Sequence, residues 1–393
     1  MSVLAELGSA SWSVGEAVRY EVALEGAAQV IGYYAELIAR EEAAGTPDAV
    51  AIAEWRGAQQ VWAVRRRGLT PADGEEVAAI HSDGEDLLAE PDDGPSEQPP
   101  WPTRGVLDDN ENERIFRERI VPDELTGITQ LRPIVVIVVG QPGDGKAAIT
   151  ALAREVLSRR GRPVVVSAEQ YEPHHPDFHR LIGDDPATGL LTPDARRWAA
   201  KASAYVRSRR FDVVLQDPGD FEHAAREFKE AGYQVEVAIV AVAEAVGRFG
   251  VLDRHLRALE AYGYGRLADP NQPVLRAAEA TDHAQLADLA AVLRPNGELL
   301  YGNQRTPDGR WRLRPASVEA VAAERARPWT VLESRLFLEA VSAFERRGLS
   351  APIPSIRQQT AEGARAVTAL ARPHLHPDAV TLQIATAGVA APD

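Results

Sequence analysis

The chain has 393 residues, of which 45% are hydrophobic and 26% are charged, so global disorder is excluded. At roughly 100–200 residues per domain, this length predicts two or three domains. The longest unbroken aliphatic run covers residues 134–139. A membrane-spanning helix needs roughly 20 apolar residues, so we expect no membrane partner.

Cysteine content and charge narrow the functional classes further. The chain contains no cysteine, which excludes a disulfide framework, thiol catalysis and cysteine-ligated zinc. Residues 1–24 do not have the pattern of an export signal, and both features favour a cytoplasmic location. The net charge is −15, and residues 1–100 carry 6 Lys and Arg against 19 Asp and Glu. A chain this acidic is a poor binder of nucleic acid. Its acidic N-terminal part, residues 1–100, is called the front section and is either a soluble module or a cover for a basic pocket.

Residues 1–90 are predicted to form a small helical bundle. Apolar residues recur at three- and four-residue spacing over 13–42, which predicts one long helix. A second helix is predicted over 48–67, followed by a shorter third, and no strand pattern is present in this section. Residues 91–110 are predicted to be a linker, because their first half is rich in proline and has no apolar periodicity.

Beyond the linker, apolar runs alternate with helical segments. This alternation predicts an α/β fold with a mostly parallel sheet covered by helices on both faces. We assign residues 111–310 to this domain and residues 311–393 to a C-terminal helical extension. The predicted strands are 133–139, 163–167, 212–216, 235–242 and a short final strand at 299–301. The predicted helices are 113–122, one that starts at 146, and 193–209.

A glycine-rich loop between the first predicted strand and a helix has the GxxxxGK pattern of a phosphate-binding loop. Its backbone N–H groups would surround phosphate oxygens, and the positive end of the helix would add to the attraction. Lys146 would place its ammonium group on the outer phosphates. The alternative is a glycine-rich turn without a ligand. The cofactor-binding residues predicted from the pattern are Gly140, Gln141, Pro142, Gly143, Asp144, Gly145, Lys146 and Ala147.

Two residues of this loop depart from the usual pattern. Ala147 stands where a Ser or Thr hydroxyl normally binds magnesium, so Mg²⁺ must be held by water or another side chain. Asp144 adds a carboxylate, which cannot help to bind an anion even if it points into solvent. The loop therefore predicts ATP binding with weakened Mg²⁺ coordination, and the sequence assigns no metal-ligating residue.

The segment ENERIFRERIVPDELTGITQLRPIVVIVVGQPGDGK, which ends at Lys146, resembles the start of the zeta-toxin domain. The run His175-Pro176-Asp177-Phe178 resembles the HPxF/Y element of the same family, and the resemblance extends over about residues 111–301. Zeta toxins are P-loop kinases of bacterial toxin–antitoxin pairs, and characterised members phosphorylate the sugar of UDP-N-acetylglucosamine. The resemblance therefore implies a P-loop kinase fold, with ATP and a UDP-amino sugar as partners.

The resemblance also implies a set of catalytic residues. Glu169 follows the second predicted strand and would be the base on the sugar hydroxyl, where the family usually has aspartate. Arg254 and Arg266 would face the transferring phosphate beside Lys146, because a planar guanidinium matches phosphate oxygens and stays charged. Without the resemblance, Glu169 has the alternative role of capping a turn, and the two arginines that of solvated helix residues.

The substrate-binding residues implied by the resemblance are His175, Pro176 and Gln216. We expect His175 to position the substrate loop rather than to bind a metal, or simply to brace the turn. Gln216 ends the third predicted strand, where the family commonly has glutamate. Since Ala147, Glu169 and Gln216 all depart from the family pattern, the alternative to an active kinase is a degenerate nucleotide- or partner-binding protein. A P-loop kinase for another small molecule is the third possibility.

The acidic front section resembles the small antitoxins that are paired with zeta toxins. The stretch that carries this resemblance is YEVALEGAAQVIGYYAELIAREEAAGTPDAVAIAEWRGAQQVWAVRRRGL, and the charge distribution and the linker agree with it. The resemblance implies that an N-terminal helix obstructs the nucleotide site. Fusion would make this inhibition intramolecular, at an effective concentration on the order of mM. The alternative is an acidic bundle that aids solubility or oligomerisation.

Overall fold

The computed structural model describes residues 2–7, 12, 14–89, 105–182, 191–263 and 274–379. The described residues before 90 form the helices α1 (Val3–Glu6), α2 (Val14–Glu42), α3 (Ala49–Gly68) and α4 (Gly74–Ala89), with no strand among them. Helices α2, α3 and α4 share one apolar core and are called the N-terminal bundle. The prediction of helices in this section is confirmed. Most of the predicted linker lies outside the described residues.

A mostly parallel sheet forms the centre of the second part of the chain. Within the described residues its strands are β1 (Ile134–Val139), β2 (Val164–Val166), β3 (Val213–Gln216), β4 (Gln234–Val240), β5 (Leu289–Leu293) and β6 (Leu299–Gln304). The strand order is β2-β3-β1-β4-β5-β6, and all neighbours are parallel except β5 and β6. Val135 of β1 pairs with Val213 of β3 and with Val235 of β4. Strand β1 lies between two parallel strands and is buried along its whole length, which explains its unbroken aliphatic sequence.

Helices cover both faces of this sheet, so the predicted fold class is confirmed. Between β1 and β4 the helices are α7 (Lys146–Ser158), α8 (Ala168–Tyr171), α9 (Phe178–Ile182), α10 (Leu191–Arg209) and α11 (Phe221–Glu230). After β4 they are α12 (Glu244–Tyr262), α13 (Val274–His283), α14 (Ser317–Ala326), α15 (Val331–Leu349) and α16 (Pro354–Ala371). Aromatic contacts of Phe249 with Phe337 and Phe344 hold α15 against α12.

The structure differs from the sequence predictions at several elements, two of which have a clear physical reason. The pattern does not predict β5, because its LAAVL run is short and rich in alanine, and pairing with β4 and β6 makes it a strand. The predicted helix over 113–122 does not end at its proline. Helix α5 (Asp109–Ile115) continues through a π-helical turn (Phe116–Ile120) into α6 (Val121–Glu124). Pro122 lies in the first turn of α6, where a missing N–H is tolerated.

The first residues of the chain are attached to the sheet through a buried carboxylate. Val3 and Leu4 are buried on the face of the sheet that α7 covers. Their N–H groups donate to Glu236 of β4 at 3.0 and 2.8 Å. Burial raises the pKa of Glu236, and these two donors act in the opposite direction. The N-terminal residues therefore satisfy a carboxylate that would otherwise be costly to bury.

We expect Glu236→Leu to lower the free energy of unfolding by about 2 kcal/mol, because two buried N–H groups lose their acceptor. Chemical denaturation of the full-length chain measures this change. Limited proteolysis should also cut the N-terminal segment faster. The control is Glu319→Leu at an exposed carboxylate, where we expect a change within about 0.5 kcal/mol. Equal stability of the two variants would contradict the attachment.

The N-terminal bundle also packs against α7, the helix that follows the phosphate-binding loop. Ala147 and Ala151 of α7 belong to the same apolar cluster as Tyr20 of α2 and Trp62 of α3. Arg154 of α7 donates to two carbonyl oxygens at the C-terminal end of α3, where a cation is favourable. The alanine at position 147 thus lies against the bundle, which gives its apolar side chain a packing role.

Candidate functional site

The phosphate-binding loop, residues 140–146, connects the buried end of β1 to the first residue of α7. Gly143 and Gly145 have φ angles of 75° and 83°, in the left-handed region that favours glycine. A Cβ atom on Gly143 would lie 2.1 Å from the carbonyl oxygen of Gly247 in α12. The loop is therefore held in its tight turn by its own glycines and by the close approach of α12.

Lys146 lies at the centre of a buried group of charges. Its Nζ atom donates to the carbonyl oxygen of Gln141 at 2.6 Å and lies 3.2 Å from carboxylate oxygens of both Asp144 and Asp217. Burial lowers the pKa of Lys146, but the two carboxylates raise it above its ordinary value. Asp217 follows β3 and has a φ of 45°, an unusual backbone conformation for a residue other than glycine. Such strain is typical of functional sites.

Asp144 does not point into solvent. Its side chain lies inside the loop and only 2% of the residue is exposed. The Oδ1 atom accepts the N–H group of Lys146 at 3.1 Å, whereas Oδ2 has no hydrogen-bond partner among the described residues. Burial raises the pKa of Asp144 to about 7; Lys146 opposes this rise and Asp217 adds to it. The attraction of its carboxylate to the Lys146 ammonium group keeps the Asp144 side chain inside the loop.

The raised pKa of Asp144 predicts a specific dependence of stability on pH. The folded chain holds the proton up to about pH 7, whereas the unfolded chain releases it near the ordinary value of 3.8. Stability contributed by this group is therefore present at acid pH and is lost as the pH rises from about 4 to 7. We expect Asp144→Asn to remove this decline, which has a slope of at most about 1.4 kcal/mol per pH unit. Denaturation at several pH values measures it, and parallel curves for the two proteins would contradict the burial of an acidic proton.

A cavity of about 200 Å³ lies between the phosphate-binding loop and the N-terminal bundle. Its lining includes Pro142, Gly143, Asp144, Gly145, Lys146 and Ala147 of the loop and α7, the predicted site residues Glu169, Gln216 and Arg254, and Tyr20, Glu21, Leu24, Glu25 and Ala28 of α2. Gly140, Gln141, His175 and Pro176 do not line it, and Arg266 lies outside the described residues. The structure thus brings most of the predicted site together and covers it with α2.

Two pairs of interacting side chains line the cavity. Arg254 of α12 lies 3.9 Å from Glu169 of α8, measured between Nη1 and Oε1. The hydroxyl of Thr150 donates to Oε1 of Gln216 at 3.0 Å. The base candidate Glu169 on α8 and the cation Arg254 on α12 therefore face the same space. The hydroxyl of Thr150 lies about one helical turn after Ala147 in α7.

His175 is buried and lies behind the cavity wall. Its Nδ1 atom accepts the N–H group of Asp177 at 3.1 Å, so Nε2 carries the proton and donates to the carbonyl oxygen of Gly105 at 3.0 Å. Asp194 lies 3.7 Å from the same nitrogen. Pro176 is buried beside it. These contacts hold the segment after α8 in place. Both ring nitrogens of His175 are hydrogen-bonded to the backbone.

Helix α2 presents a carboxylate to the site. Glu21 is partly buried and lines the cavity. Burial raises its pKa; the positive charges of Arg254 and Lys146 lower it, and Glu169 raises it further. The charges of Lys146, Arg254 and Glu169 therefore all act on the Glu21 carboxylate.

Sequence reasoning missed several residues of this site. Glu21 is one of many acidic residues in the front section, and no local pattern singles it out. Thr150 and Gly247 do not belong to a sequence motif. The contact of Gly247 with the loop shows that α12 packs closely there, and glycine is a residue type that permits such an approach.

In the described part of the chain, no group of three or more His, Asp and Glu side chains is arranged to hold a metal ion. Among the helices in the described ranges, none combines the length and the hydropathy that a membrane span requires.

The strand order, with the phosphate-binding loop between β1 and α7, defines a P-loop protein with a kinase-like α/β fold. Residues 122–306 match the family model of zeta toxins, so this part of the chain is similar to a zeta-toxin domain. The fold is also similar to that of a solved chain from the PezAT chromosomal toxin–antitoxin system of Streptococcus pneumoniae. That similarity has a TM-score of 0.51 and 14% identity, and covers 62% of this chain and 97% of the other. No curated protein matches the chain.

Proposed function

We propose that the chain is a fused antitoxin–toxin protein. Its zeta-toxin domain would transfer the γ-phosphoryl group of ATP to UDP-N-acetylglucosamine or a related UDP-amino sugar, and its N-terminal bundle would inhibit this transfer in cis. The observation that carries the proposal is the position of α2, which covers the phosphate-binding loop and brings Glu21 near Lys146 and Arg254.

The side chains that line the cavity match the parts of a phosphoryl transfer. Glu169 accepts the proton of the attacking sugar hydroxyl. A bond then forms between that oxygen and the γ-phosphorus while the bond from phosphorus to the bridging oxygen of ADP breaks. Lys146 and Arg254 stabilise the negative charge on the moving group, with Arg266 as the second proposed arginine. Because Arg254 lies beside Glu169, it also orients the base.

The donor set also fits a magnesium ion that arrives with the nucleotide. Mg²⁺ is usually bound through one or two carboxylates, waters and substrate phosphates rather than by an all-protein cage. Asp217 is the carboxylate beside Lys146 and would hold the ion, which neutralises phosphate charge when bound. Ala147 contributes no oxygen, and the Thr150 hydroxyl is already directed to Gln216. Coordination is therefore weaker than in a loop with a hydroxyl at position 147.

Inhibition follows from the same arrangement of charges. The loop and Arg254 are built to attract a polyanion, and α2 brings the Glu21 carboxylate to the same space. Apolar packing of Ala147 and Ala151 against the bundle holds that helix in place. This role accounts for the concentration of acidic residues in the first hundred residues of the chain.

The test measures ADP formation from ATP, Mg²⁺ and UDP-N-acetylglucosamine by the full-length chain carrying Gly26→Leu, a substitution designed to displace the bundle. Mass spectrometry should show a phosphorylated UDP-N-acetylglucosamine. Adding Glu169→Gln or Arg254→Gln should lower the rate about 100-fold or more, because each removes a group that acts on the reacting atoms. The kinase proposal is wrong if a folded Gly26→Leu chain binds ATP and phosphorylates no UDP-amino sugar.

A degenerate nucleotide-binding protein is the second candidate, and the filled loop favours it. Asp144 lies where phosphate should bind, and Ala147 lacks the metal-binding hydroxyl. In this case the Gly26→Leu chain binds ATP in calorimetry and forms no ADP with any acceptor. The double substitution Ala147→Thr and Gln216→Glu would then restore turnover. ADP formation with a different acceptor would instead identify a kinase for another small molecule.

A further inference from the structure

The side chain of Asp144 occupies the inside of the loop to which it belongs. A Cβ atom built on Gly140 would lie 1.8 Å from its Oδ2 atom, so the carboxyl group sits directly on the glycine that opens the loop. Its other oxygen accepts the backbone N–H of Lys146 at 3.1 Å and lies 3.2 Å from the ammonium group. These are the two kinds of donor that a phosphate-binding loop offers to a phosphate oxygen.

The carboxyl group fills this position imperfectly. Its Oδ2 atom is buried and has no hydrogen-bond partner within the described residues. The carboxylate of Asp217 also approaches the same ammonium group at 3.2 Å, so two acidic side chains share one cation. A buried polar atom without a partner is unfavourable, and a ligand with more oxygens could use the remaining loop N–H groups. The arrangement is therefore one that a polyphosphate is able to displace.

We propose that Asp144 is an intramolecular competitor for the phosphate position of this loop. In the conformation described, the carboxylate takes the place of a phosphate oxygen, and a polyphosphate binds only after this side chain leaves. The proposal rests on the proposed function only in treating the loop as a phosphate-binding site, and it does not depend on the acceptor or on turnover.

This competitor is separate from the cover that α2 provides. Glu21 reaches the cavity from the bundle, whereas Asp144 belongs to the loop and moves with it. Displacing the bundle therefore removes one acidic group and leaves the other in place. Full access to the loop requires both changes, and substitutions at the two positions should combine in their effects on polyphosphate binding.

Calorimetric titration with inorganic triphosphate tests the proposal in the full-length chain, with and without Gly26→Leu. We expect Asp144→Ala to tighten binding about tenfold or more in the Gly26→Leu background, which corresponds to about 1.4 kcal/mol. Asp144→Asn keeps the shape and removes the charge, and should give a smaller increase. Asp308→Ala is the control for the loss of one negative charge, since Asp308 lies in an exposed turn.

The proposal is overturned if folded Asp144→Ala and Asp144→Asn chains bind triphosphate no more tightly than their parents in both backgrounds. An increase matched by Asp308→Ala also overturns it, because a general charge effect would then suffice. The kinase proposal is tested by ADP formation and has a separate outcome. Tighter triphosphate binding without ADP formation would support the role of Asp144 and reject the kinase.

Discussion

Gly26→Leu is expected to raise the rate of ADP formation with UDP-N-acetylglucosamine between about fivefold and a hundredfold. A Cβ atom on Gly26 of α2 would lie 2.3 Å from the hydroxyl oxygen of Tyr262 and 2.4 Å from its Cζ atom. Tyr262 is buried at the end of α12, and its hydroxyl is hydrogen-bonded to His81 at 3.0 Å. Overpacking costs about 1–3 kcal/mol, and we expect this cost to separate α2 from α12. Converted at 1.4 kcal/mol per factor of ten, it gives the stated range.

Gly57→Leu is the matched control for this substitution. Gly57 also lies in a helix of the bundle, but a Cβ atom there meets nothing within 4 Å. Both substitutions replace a helical glycine by leucine and change helix propensity alike, by about 1 kcal/mol. Only the variant at Gly26 should accelerate the reaction. Equal rates for the two variants, with both chains folded, would show that the contact of α2 with α12 does not restrain the site.

The parts of the site that the sequence predicts are those encoded by short local patterns. The loop from Gly140 to Lys146 follows an aliphatic strand and begins a helix, so its position and backbone shape follow from neighbouring residues. Glu169 follows the second strand and Gln216 ends the third. Parallel strands place such positions at one edge of the sheet, and the structure has both in the lining of the cavity.

The remaining features depend on contacts between distant parts of the chain. The burial of Asp144 results from its attraction to Lys146, from Asp217 beyond the neighbouring strand, and from a cover contributed by residues more than a hundred positions earlier. The acidic composition of the front section predicts a cover for a basic pocket, but composition does not determine which carboxylate enters it. Glu21 is selected by the packing of α2 against α12 and α7, which no local pattern reveals.

Lys146→Met should be among the most destabilising single substitutions in the site, lowering the free energy of unfolding by about 3 kcal/mol. Lys146 is 7% exposed, and its ammonium group lies between the carboxylates of Asp144 and Asp217. Methionine nearly preserves the volume and removes the charge, so two neighbouring acidic groups lose their shared cation. Chemical denaturation at pH 8 measures the loss, because Asp144, with a pKa of about 7 beside Lys146, is largely ionised at this pH in the parent chain.

Adding Asp144→Asn to Lys146→Met should recover more than half of the lost stability, because the repulsion between the two carboxylates then disappears. Lys201→Met is the control, since Lys201 is more exposed and pairs with Glu113 near the surface, where an ion pair contributes less than about 1 kcal/mol. If Lys146→Met costs no more than Lys201→Met, the ammonium group does not hold the two carboxylates in the loop. Recovery in the double variant would show that the ion pair between Lys146 and Asp144 stabilises this loop. The ion pair then takes the place that a bound phosphate has in other phosphate-binding loops.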